Sequence, residues 1–133
     1  LANMTALKRL DLSETQVGDA GLADLSKLTS IQDLNLWATQ VTDAGLSHLT
    51  SLTNLTILNL DQTHVGDEGL IQIGKLSTLK NLILRSTQIT DDGIEHLSTL
   101  TNLEDLNVEF CTSLGDTGKK RIQEKLPKVV LTQ

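Results

Sequence analysis

Residues 31–52 read IQDLNLWATQVTDAGLSHLTSL, and this pattern occurs five times along the 133-residue chain. Each copy opens with an equivalent apolar residue, and these residues recur every 24 positions, at Leu7, Ile31, Leu55, Leu79 and Leu103. Self-similarity at a fixed period of this size is typical of a stacked array, in which each repeat contacts only its neighbours. The period therefore predicts an array, rather than a globule built around one central site.

The leucine spacing inside each copy resembles that of the leucine-rich repeat family. The family signature L-x-x-L-x-L-x-x-N/C-x-L occurs here as Leu-x-x-Leu-x-Leu-x-x-Thr-x-Val. Its continuation, in the style T-x-V-T-D-x-G-L, resembles bacterial leucine-rich repeat proteins and the repeats in the substrate-recognition arms of some ubiquitin ligases. The resemblance implies an α/β fold, a right-handed leucine-rich repeat solenoid with a concave parallel β-sheet and convex short helices.

The resemblance covers nearly the whole chain, and we predict one domain over residues 1–133. A partial repeat occupies residues 1–6, a C-terminal cap occupies about 112–133, and the five repeats between them start near 7, 31, 55, 79 and 103. Leu1 has the phase of Leu25, so the sequence starts within a helix and has no polar N-terminal cap. We expect this uncapped end to fray or to self-associate, because a repeat is stabilised by its neighbours.

The predicted cap differs from the repeats before it. Lys119 lies where the other repeats have Leu or Ile, as expected for a polar terminal repeat. Pro127 should end the last helix, and residues 129–131 are predicted to add a closing strand. Five of the eleven Lys and Arg residues fall within this segment, which we interpret as a solvated helix face. A nucleic-acid site is the alternative, but the net charge of −6 disfavours it because the rest of the chain would repel phosphate.

The pattern within one repeat predicts its local structure. Alternation directs Leu34 and Leu36 inward in a short strand, whose neighbours point outward. Inward threonines that bond the turn backbone are expected at Thr15, Thr39, Thr63 and Thr87, with Cys111 at the same place in the fifth copy. Helix N-caps are expected at Asp19, Asp43, Asp67, Asp91 and Asp116. Each of these Asp residues precedes a glycine by two positions, which indicates close approach between stacked repeats.

No constellation of residues predicts catalysis or a cofactor. His48 and His96 share one repeat phase two repeats apart, which is too far for a shared zinc ion. The Asp series lacks the oxygen cage that calcium requires, and a single cysteine excludes an internal disulfide. No apolar run is long enough to span a membrane. We predict a chain that is not an enzyme and that binds no metal, cofactor, nucleic acid or membrane.

The concave face remains as the candidate site, because its outward side chains vary while the inward ones hardly change. The sole tryptophan lies there, and Trp and Arg are typical interface anchors. The candidate partner-binding residues are Trp37, Arg85, Asp61, Asn35, Asn59, Ile57, Ile83 and Asp33. Trp37, Ile57 and Ile83 are expected to form one apolar strip, and Arg85 is expected to pair either with Asp61 or with the partner.

These residues favour protein–protein recognition through the concave face. The acidic bias of that face predicts a protein partner with a basic surface. Two other functions stay open at this point. In the first, the chain is a structural spacer within a larger leucine-rich repeat protein. In the second, it is the substrate-recognition arm of a ubiquitin ligase-like assembly.

Overall fold

The computed structural model describes residues 6–133, and its backbone forms one parallel sheet with helices on one side. The six strands pair in chain order: β1 (Arg9–Asp11), β2 (Asp33–Asn35), β3 (Ile57–Asn59), β4 (Asn81–Ile83), β5 (Asp105–Asn107) and β6 (Val130–Thr132). The helices between them are α1 (Asp19–Leu25), α2 (Asp67–Ile73) and α3 (Asp116–Lys125), with two 3₁₀ helices at Asp43–Ser51 and Asp91–Leu97. The predicted α/β solenoid with a parallel sheet is confirmed.

Each strand and the segment that leads to the next strand form one coil of the solenoid. Coils 1 to 5 cover residues 7–30, 31–54, 55–78, 79–102 and 103–129. Equivalent residues of neighbouring coils are directly paired, so that Leu34 lies opposite Leu58 and Leu58 opposite Leu82. No helix within residues 6–133 is long and apolar enough to cross a membrane.

The core is a stack of aliphatic layers between the sheet and the helices. Leu34, Leu58 and Leu82 have no solvent exposure, as the strand alternation predicts. Leucines of the helical segments cover them from the other side, among them Leu46 and Leu70. At about 25 cal/mol per Å² of apolar surface buried, these layers are the main source of stability.

The buried threonines form the inward ladder that the sequence predicts. The hydroxyls of Thr39, Thr63 and Thr87 each donate to the carbonyl oxygen three residues earlier, at 2.7 Å. In coil 5 the Cys111 thiol takes this place and donates across the coil boundary to the Leu84 carbonyl, at 2.9 Å. Thr15 makes the same local bond but is exposed. The ladder therefore satisfies a polar turn inside the core.

The prediction that the Asp series caps helices is wrong. Asp67 is the first residue of its helix, and the capping position is Gly66, which has no side chain to accept a bond. The Asp67 carboxylate instead accepts the Thr90 N–H of the next coil, at 2.8 Å. The same cross-coil bond to a capping-position N–H recurs from Asp19 to Thr42, from Asp43 to Gly66 and from Asp91 to Gly115. These carboxylates tie coils together rather than closing their own helices.

In coils 2 to 5, the glycine two residues after the Asp makes room for the bond from the preceding coil, which confirms the predicted close approach. A Cβ built on Gly69 would lie 2.5 Å from Asp43 Oδ1 and 2.8 Å from Leu46 Cδ1. Gly45, Gly93 and Gly118 are equally blocked by the Asp of the preceding coil. A side chain of any size would therefore push the carboxylate away from its backbone partner. Glycine is required here for space, since none of these glycines has a positive φ.

Odd-numbered and even-numbered coils differ from each other, which gives a 48-residue period that the sequence analysis did not identify. Asp67 accepts the Thr90 hydroxyl at 2.5 Å in addition to the Thr90 N–H, whereas Asp43 accepts only the N–H of Gly66. Coils 2 and 4 contain 3₁₀ helices, and coils 1, 3 and 5 contain α-helices. The signal in the sequence is the exchange of Thr and Gly at the capping position: Gly18, Thr42, Gly66, Thr90 and Gly115.

The two ends of the described chain differ in how well they are covered. Leu7, Leu10 and Leu12 are only partly buried, unlike their fully buried equivalents in coil 2. At the other end β6 pairs with β5, and α3 ends at Lys125, two residues before Pro127. The closing strand lies one residue later than predicted. The predicted partial repeat lies almost entirely outside the described residues.

Candidate recognition surface on the concave sheet

The concave surface is built from three columns of outward side chains, each with one residue per coil. The first column runs along the strand starts: Arg9, Asp33, Ile57, Asn81 and Asp105. The second column runs along the strand ends: Asp11, Asn35, Asn59, Ile83 and Asn107. The third column lies two residues further on: Ser13, Trp37, Asp61, Arg85 and Glu109.

The second column has a structural role that the sequence analysis did not expect. Asn35 Oδ1 accepts the N–H of Trp37 at 3.0 Å, and Asn59 Oδ1 accepts the N–H of Asp61 at 2.9 Å. Asp11 and Asn107 make the same bond in their coils. Ile83 has no acceptor, so the Arg85 N–H lacks this partner. Asn35 and Asn59 therefore position the third column, in addition to lying on the candidate surface.

An ion pair lies in the middle of the third column. Arg85 Nη1 bonds Asp61 Oδ2 at 3.2 Å, which confirms the pairing within the protein that the sequence proposed. Arg85 Nε also approaches Glu109 Oε1 at 4.0 Å, and its guanidinium lies 4.7 Å from the centre of the Phe110 ring. The cation is therefore held by two carboxylates and by a cation–π contact.

Two buried polar atoms of this column have no protein partner. Asp61 is only 9% exposed, and its Oδ1 is buried and accepts no hydrogen bond from residues 6–133. The Trp37 Nε1 atom is also buried and has no hydrogen-bond partner in the described part of the chain, although the residue as a whole is half-buried. The two residues are neighbours, because the Ala38 N–H donates to the Asp61 carbonyl at 2.9 Å. A buried unsatisfied polar group costs about 1–3 kcal/mol, so such atoms are few in folded proteins.

The predicted apolar strip of Trp37, Ile57 and Ile83 is not continuous in the structure. Ile57 lies in the first column and Ile83 in the second, one coil apart and both half-buried. Trp37 lies in the third column, and Asn59 and Asp61 fall between it and the two isoleucines. We therefore place Trp37 with the polar column and keep Ile57 and Ile83 as a separate apolar pair.

The sequence analysis missed Phe110, the largest exposed apolar side chain among the described residues. It is 64% exposed and lies at the rim of the concave face, next to the third column. Its φ of 58° belongs to a left-handed position that recurs once per coil, at Glu14, Ala38, Gln62, Ser86 and Phe110. A bulky residue is uncommon at such a position. A sequence signal did exist, since Phe110 is the sole phenylalanine and falls just after the third column.

Asp33 and Asp11 lie near the open end of the columns. Arg9 Nε is 3.9 Å from Asp33 Oδ2, but the Arg9 side chain is 85% exposed and the pair contributes little. The Ser13 hydroxyl and then the Ser13 N–H donate to Asp11, and these bonds lower the pKa of the exposed Asp11 carboxyl. The Asp11 carboxyl therefore stays charged at neutral pH and adds to the acidic field of the surface.

Within residues 6–133, no cluster of His, Cys, Asp and Glu side chains could hold a metal ion. A cavity of about 230 Å³ lies beside the C-terminal cap and is lined mainly by Leu103, Leu126 and Val129. Another, of about 270 Å³, lies at the open end beside Arg9 and Asp33. Neither touches Trp37, Asp61 or Arg85. The second cavity is lined by Asp11, Asp33 and Asn35, so it lies on the first two columns at the open end of the concave surface.

Comparison with solved structures relates this architecture to bacterial proteins. Internalin C2 from Listeria monocytogenes aligns over 98% of this chain and 53% of its own, with 26% identity and a TM-score of 0.79. A leucine-rich repeat protein from Leptospira interrogans aligns over 99% of this chain and 32% of its own, with 24% identity and a TM-score of 0.78. The chain spans about half or less of these longer proteins. No curated protein sequence matches it significantly.

The repeat itself is recognised at the sequence level. A family model for the leucine-rich repeat matches residues 3–26, 51–74, 75–98 and 99–120, which is well over half of the chain. The matched segments contain most of the buried leucine layers, Thr63 and Thr87 of the threonine ladder, and the contact of Asp67 with Gly93. This protein belongs to the leucine-rich repeat family.

Proposed function

We propose that the chain is a protein-recognition module that binds its partner on the concave face. Trp37, Asp61 and Arg85 form the centre of the binding surface. The neighbouring concave residues complete it: Asp33, Asn35, Ile57, Asn59 and Ile83. The observation that carries this proposal is the pair of buried, unbonded polar atoms on Trp37 and Asp61. Each such atom costs free energy until a donor or acceptor bonds it, and their location in one outward column supports a binding role for that column.

The charge of the surface supports a protein partner with a basic face. The three columns contain five carboxylates and two guanidinium groups: Asp11, Asp33, Asp61, Asp105 and Glu109 against Arg9 and Arg85. The unpaired charges lie at the rim, where they steer an approaching partner more than they hold it. The association rate should therefore fall as the ionic strength rises, since the field is screened within about 8 Å at physiological salt.

Affinity measurements on surface variants test the proposal. The partner is captured from an extract of the source organism, identified, purified and titrated against each variant. Trp37→Ala and Arg85→Glu should each weaken binding by about 2 kcal/mol or more, because both change the centre of the surface. His48→Ala on the convex side is the matched control and should change the affinity by less than twofold. A larger loss from His48→Ala than from Trp37→Ala would move the site to the convex helices.

The two alternative functions make different predictions. The solved relatives are longer than this chain. If the chain is a spacer within a larger protein, no partner should depend on Trp37 or Arg85 for binding. A ligase-like role predicts that the partner on the concave face becomes ubiquitylated by the larger assembly.

Self-association through the N-terminal end stays a separate prediction. It concerns the partly exposed Leu7, Leu10 and Leu12, and sedimentation of the purified chain measures it directly.

A further inference from the structure

We propose that the apolar pair of Ile57 and Ile83 receives one apolar side chain of the protein partner, and that this side chain lies between basic residues of that partner. The inference rests on the proposed function and names the chemistry of the partner at the middle of the same surface. It follows from the distance between the two isoleucines, from the hydrogen bond that Ile83 costs the fold, and from the carboxylates on either side.

The two isoleucines lie close enough to contact a single side chain. Ile57 is paired with Asn81 and Ile83 with Asn59 across β3 and β4, so the isoleucines are diagonal neighbours on one face of the sheet. A strand spacing of about 4.8 Å and a two-residue rise of about 6.6 Å put their Cα atoms about 8 Å apart. Diagonal neighbours at this distance are within reach of one long side chain. Both isoleucines are half-buried, so part of each side chain is open to a partner.

Ile83 departs from a pattern that the other coils use for their own structure. In coils 1, 2, 3 and 5 the second-column residue accepts the N–H of the third-column residue, at 2.9 to 3.0 Å. Ile83 has no oxygen to accept with, so coil 4 lacks this bond. Its side chain points outward and is not part of the buried core. The isoleucine therefore serves contact with another molecule better than it serves coil 4.

The two isoleucines are also the sole apolar residues of the first two columns, whose other eight positions hold Arg, Asp or Asn. They nevertheless fall on adjacent strands and form one small apolar patch. Contact between this patch and an apolar group removes the surfaces of both from water, which is favourable. A charged group placed there would lose water without gaining a partner charge. The group that fits the patch is therefore an apolar side chain.

Carboxylates on both sides of the patch select basic neighbours for that side chain. In the first column Asp33 lies one coil before Ile57, and Asp105 lies two coils after it. The exposed Arg9 approaches Asp33 only to 3.9 Å, and Asp105 is in no ion pair within residues 6–133. The two carboxylates are three strand spacings apart, about 14 Å. A Lys or Arg on each side of the partner's apolar residue would complement them.

Displayed peptides test this chemistry without the natural partner. Random dodecapeptides are selected on the unmodified chain, and the affinity of each selected peptide is then measured for Ile83→Asn, Ile57→Asn and Ile71→Asn. The first two variants introduce the amide that a neighbouring coil has in the same column, and Ile71→Asn changes an exposed isoleucine of the convex helix α2 as the matched control. The first two should bind at least about tenfold more weakly, and the control should bind within about twofold of the unmodified chain.

Urea unfolding of Ile83→Asn separates recognition from a structural role. The midpoint should stay where it is or rise, because the new amide can accept the Arg85 N–H as the amides of coils 2, 3 and 5 do in their coils. A large fall in the midpoint would show that coil 4 depends on the isoleucine and would contradict the argument from Ile83.

The sequences of the selected peptides identify the partner's chemistry. They should share one apolar residue with Lys or Arg on both sides, and replacing that apolar residue with Ser should weaken binding at least about tenfold. Asp33→Asn and Asp105→Asn should each weaken binding by about threefold, and high salt should remove this difference because it screens exposed charges.

Other outcomes overturn the inference in distinguishable ways. Peptides that need Trp37 and Arg85 but bind Ile83→Asn and Ile57→Asn as tightly as the unmodified chain would contradict the apolar contact and leave concave recognition intact. Tight peptides without Lys or Arg would contradict the basic flanks, and a selection that yields no binder would contradict the inference as a whole. Peptides that bind all four concave variants equally well, Trp37→Ala and Arg85→Glu included, would contradict the proposed function too.

Discussion

Asp67 and Asp61 are both mostly shielded carboxylates of coil 3, yet the protein treats them in opposite ways. On the convex side Asp67 accepts the N–H and the hydroxyl of Thr90, at 2.8 and 2.5 Å, so that both oxygens are bonded. On the concave side Asp61 has one oxygen on Arg85 and one with no donor. Asp67 has equivalents in coils 1, 2 and 4, at Asp19, Asp43 and Asp91. Asp61 is the sole Asp of its column, in which Glu109 is the other carboxylate.

We interpret this difference as a division between a structural role for Asp67 and a recognition role for Asp61 within a single coil. A carboxylate that the fold itself satisfies and repeats is a means of stacking coils. Asp61 also links two coils through Arg85, but one of its oxygens is left without a donor, so stacking alone does not explain its presence. If this interpretation is right, substitutions on the convex side should change stability and leave binding intact, and substitutions in the concave column should do the reverse.

The largest expected change in stability is at a buried leucine of coil 3. Leu58→Ala should lower the free energy of unfolding by about 2–5 kcal/mol, because Leu58 is fully buried and a cavity would remain. Ile57→Ala is the matched control, since Ile57 is adjacent and half-exposed, and it should cost clearly less. Urea denaturation followed by circular dichroism measures both. Equal losses at the two positions would mean that the two faces of the sheet are assigned wrongly.

A second prediction concerns the room that Asp67 needs. Gly93→Ala should lower the free energy of unfolding by about 1–3 kcal/mol, because the new Cβ would overlap the Asp67 carboxylate. The matched control is Gly21→Ala, where Val17 Cγ1 at 3.3 Å is the sole described atom within 4 Å of the new Cβ. There the gain in helix propensity of about 1 kcal/mol should offset the cost.

A double-mutant cycle on the same pair sharpens this prediction. In an Asp67→Ala background the carboxylate is absent, so Gly93→Ala should cost less than it does in the unmodified chain, by about 1 kcal/mol. Additive losses would show that the two residues do not share one space.

The strand layers and the threonine ladder were predictable from the sequence because they depend on local period. Leu34, Leu58 and Leu82 recur at a spacing that only one stacking register can bury. The role of the Asp series was not predictable in the same way. Each Asp lies at a helix start, two residues before a glycine, and this position is compatible both with a local cap and with a bond to the next coil. Only the distance between coils, set by packing, decides between the two.

The candidate site was predictable in its location but not in its chemistry. Outward phase and residue type were enough to place Trp37, Asp61 and Arg85 on one face. The burial of Trp37 Nε1 and Asp61 Oδ1 depends on side-chain conformations in three neighbouring coils, which no spacing rule specifies. The contact between Arg85 and Phe110 likewise joins two neighbouring coils.

A third prediction uses the alternation between coils. Asp67→Ala should destabilise the protein by about 1 kcal/mol more than Asp43→Ala does, because Asp67 loses a bond to the Thr90 hydroxyl that Asp43 lacks. Both residues start a helix, so their favourable interaction with the helix dipole is the same and cancels in the comparison. Thermal and urea unfolding of the two variants measure the difference. Equal losses would show that the hydroxyl bond adds nothing and that the 48-residue period is not energetic.

The smallest expected change in stability is at the concave carboxylate. Asp61→Ala should alter the free energy of unfolding by about 0.5 kcal/mol or less, because two effects oppose each other. The substitution removes an ion pair with an Arg85 side chain that is 35% exposed, where water already weakens the attraction. It also removes an oxygen that is buried without a donor, which relieves a cost. Arg85 keeps Glu109 as a partner.

The same Asp61→Ala variant should lose most of its affinity for the partner, by about 2 kcal/mol or more. Asp67→Ala, measured beside it under conditions where both variants are folded, should bind normally despite its lower stability. Unfolding and titration of the two variants together therefore test the whole comparison. A concave carboxylate that proves as important for folding as Asp67, with no loss of binding, would be one more structural contact of the solenoid.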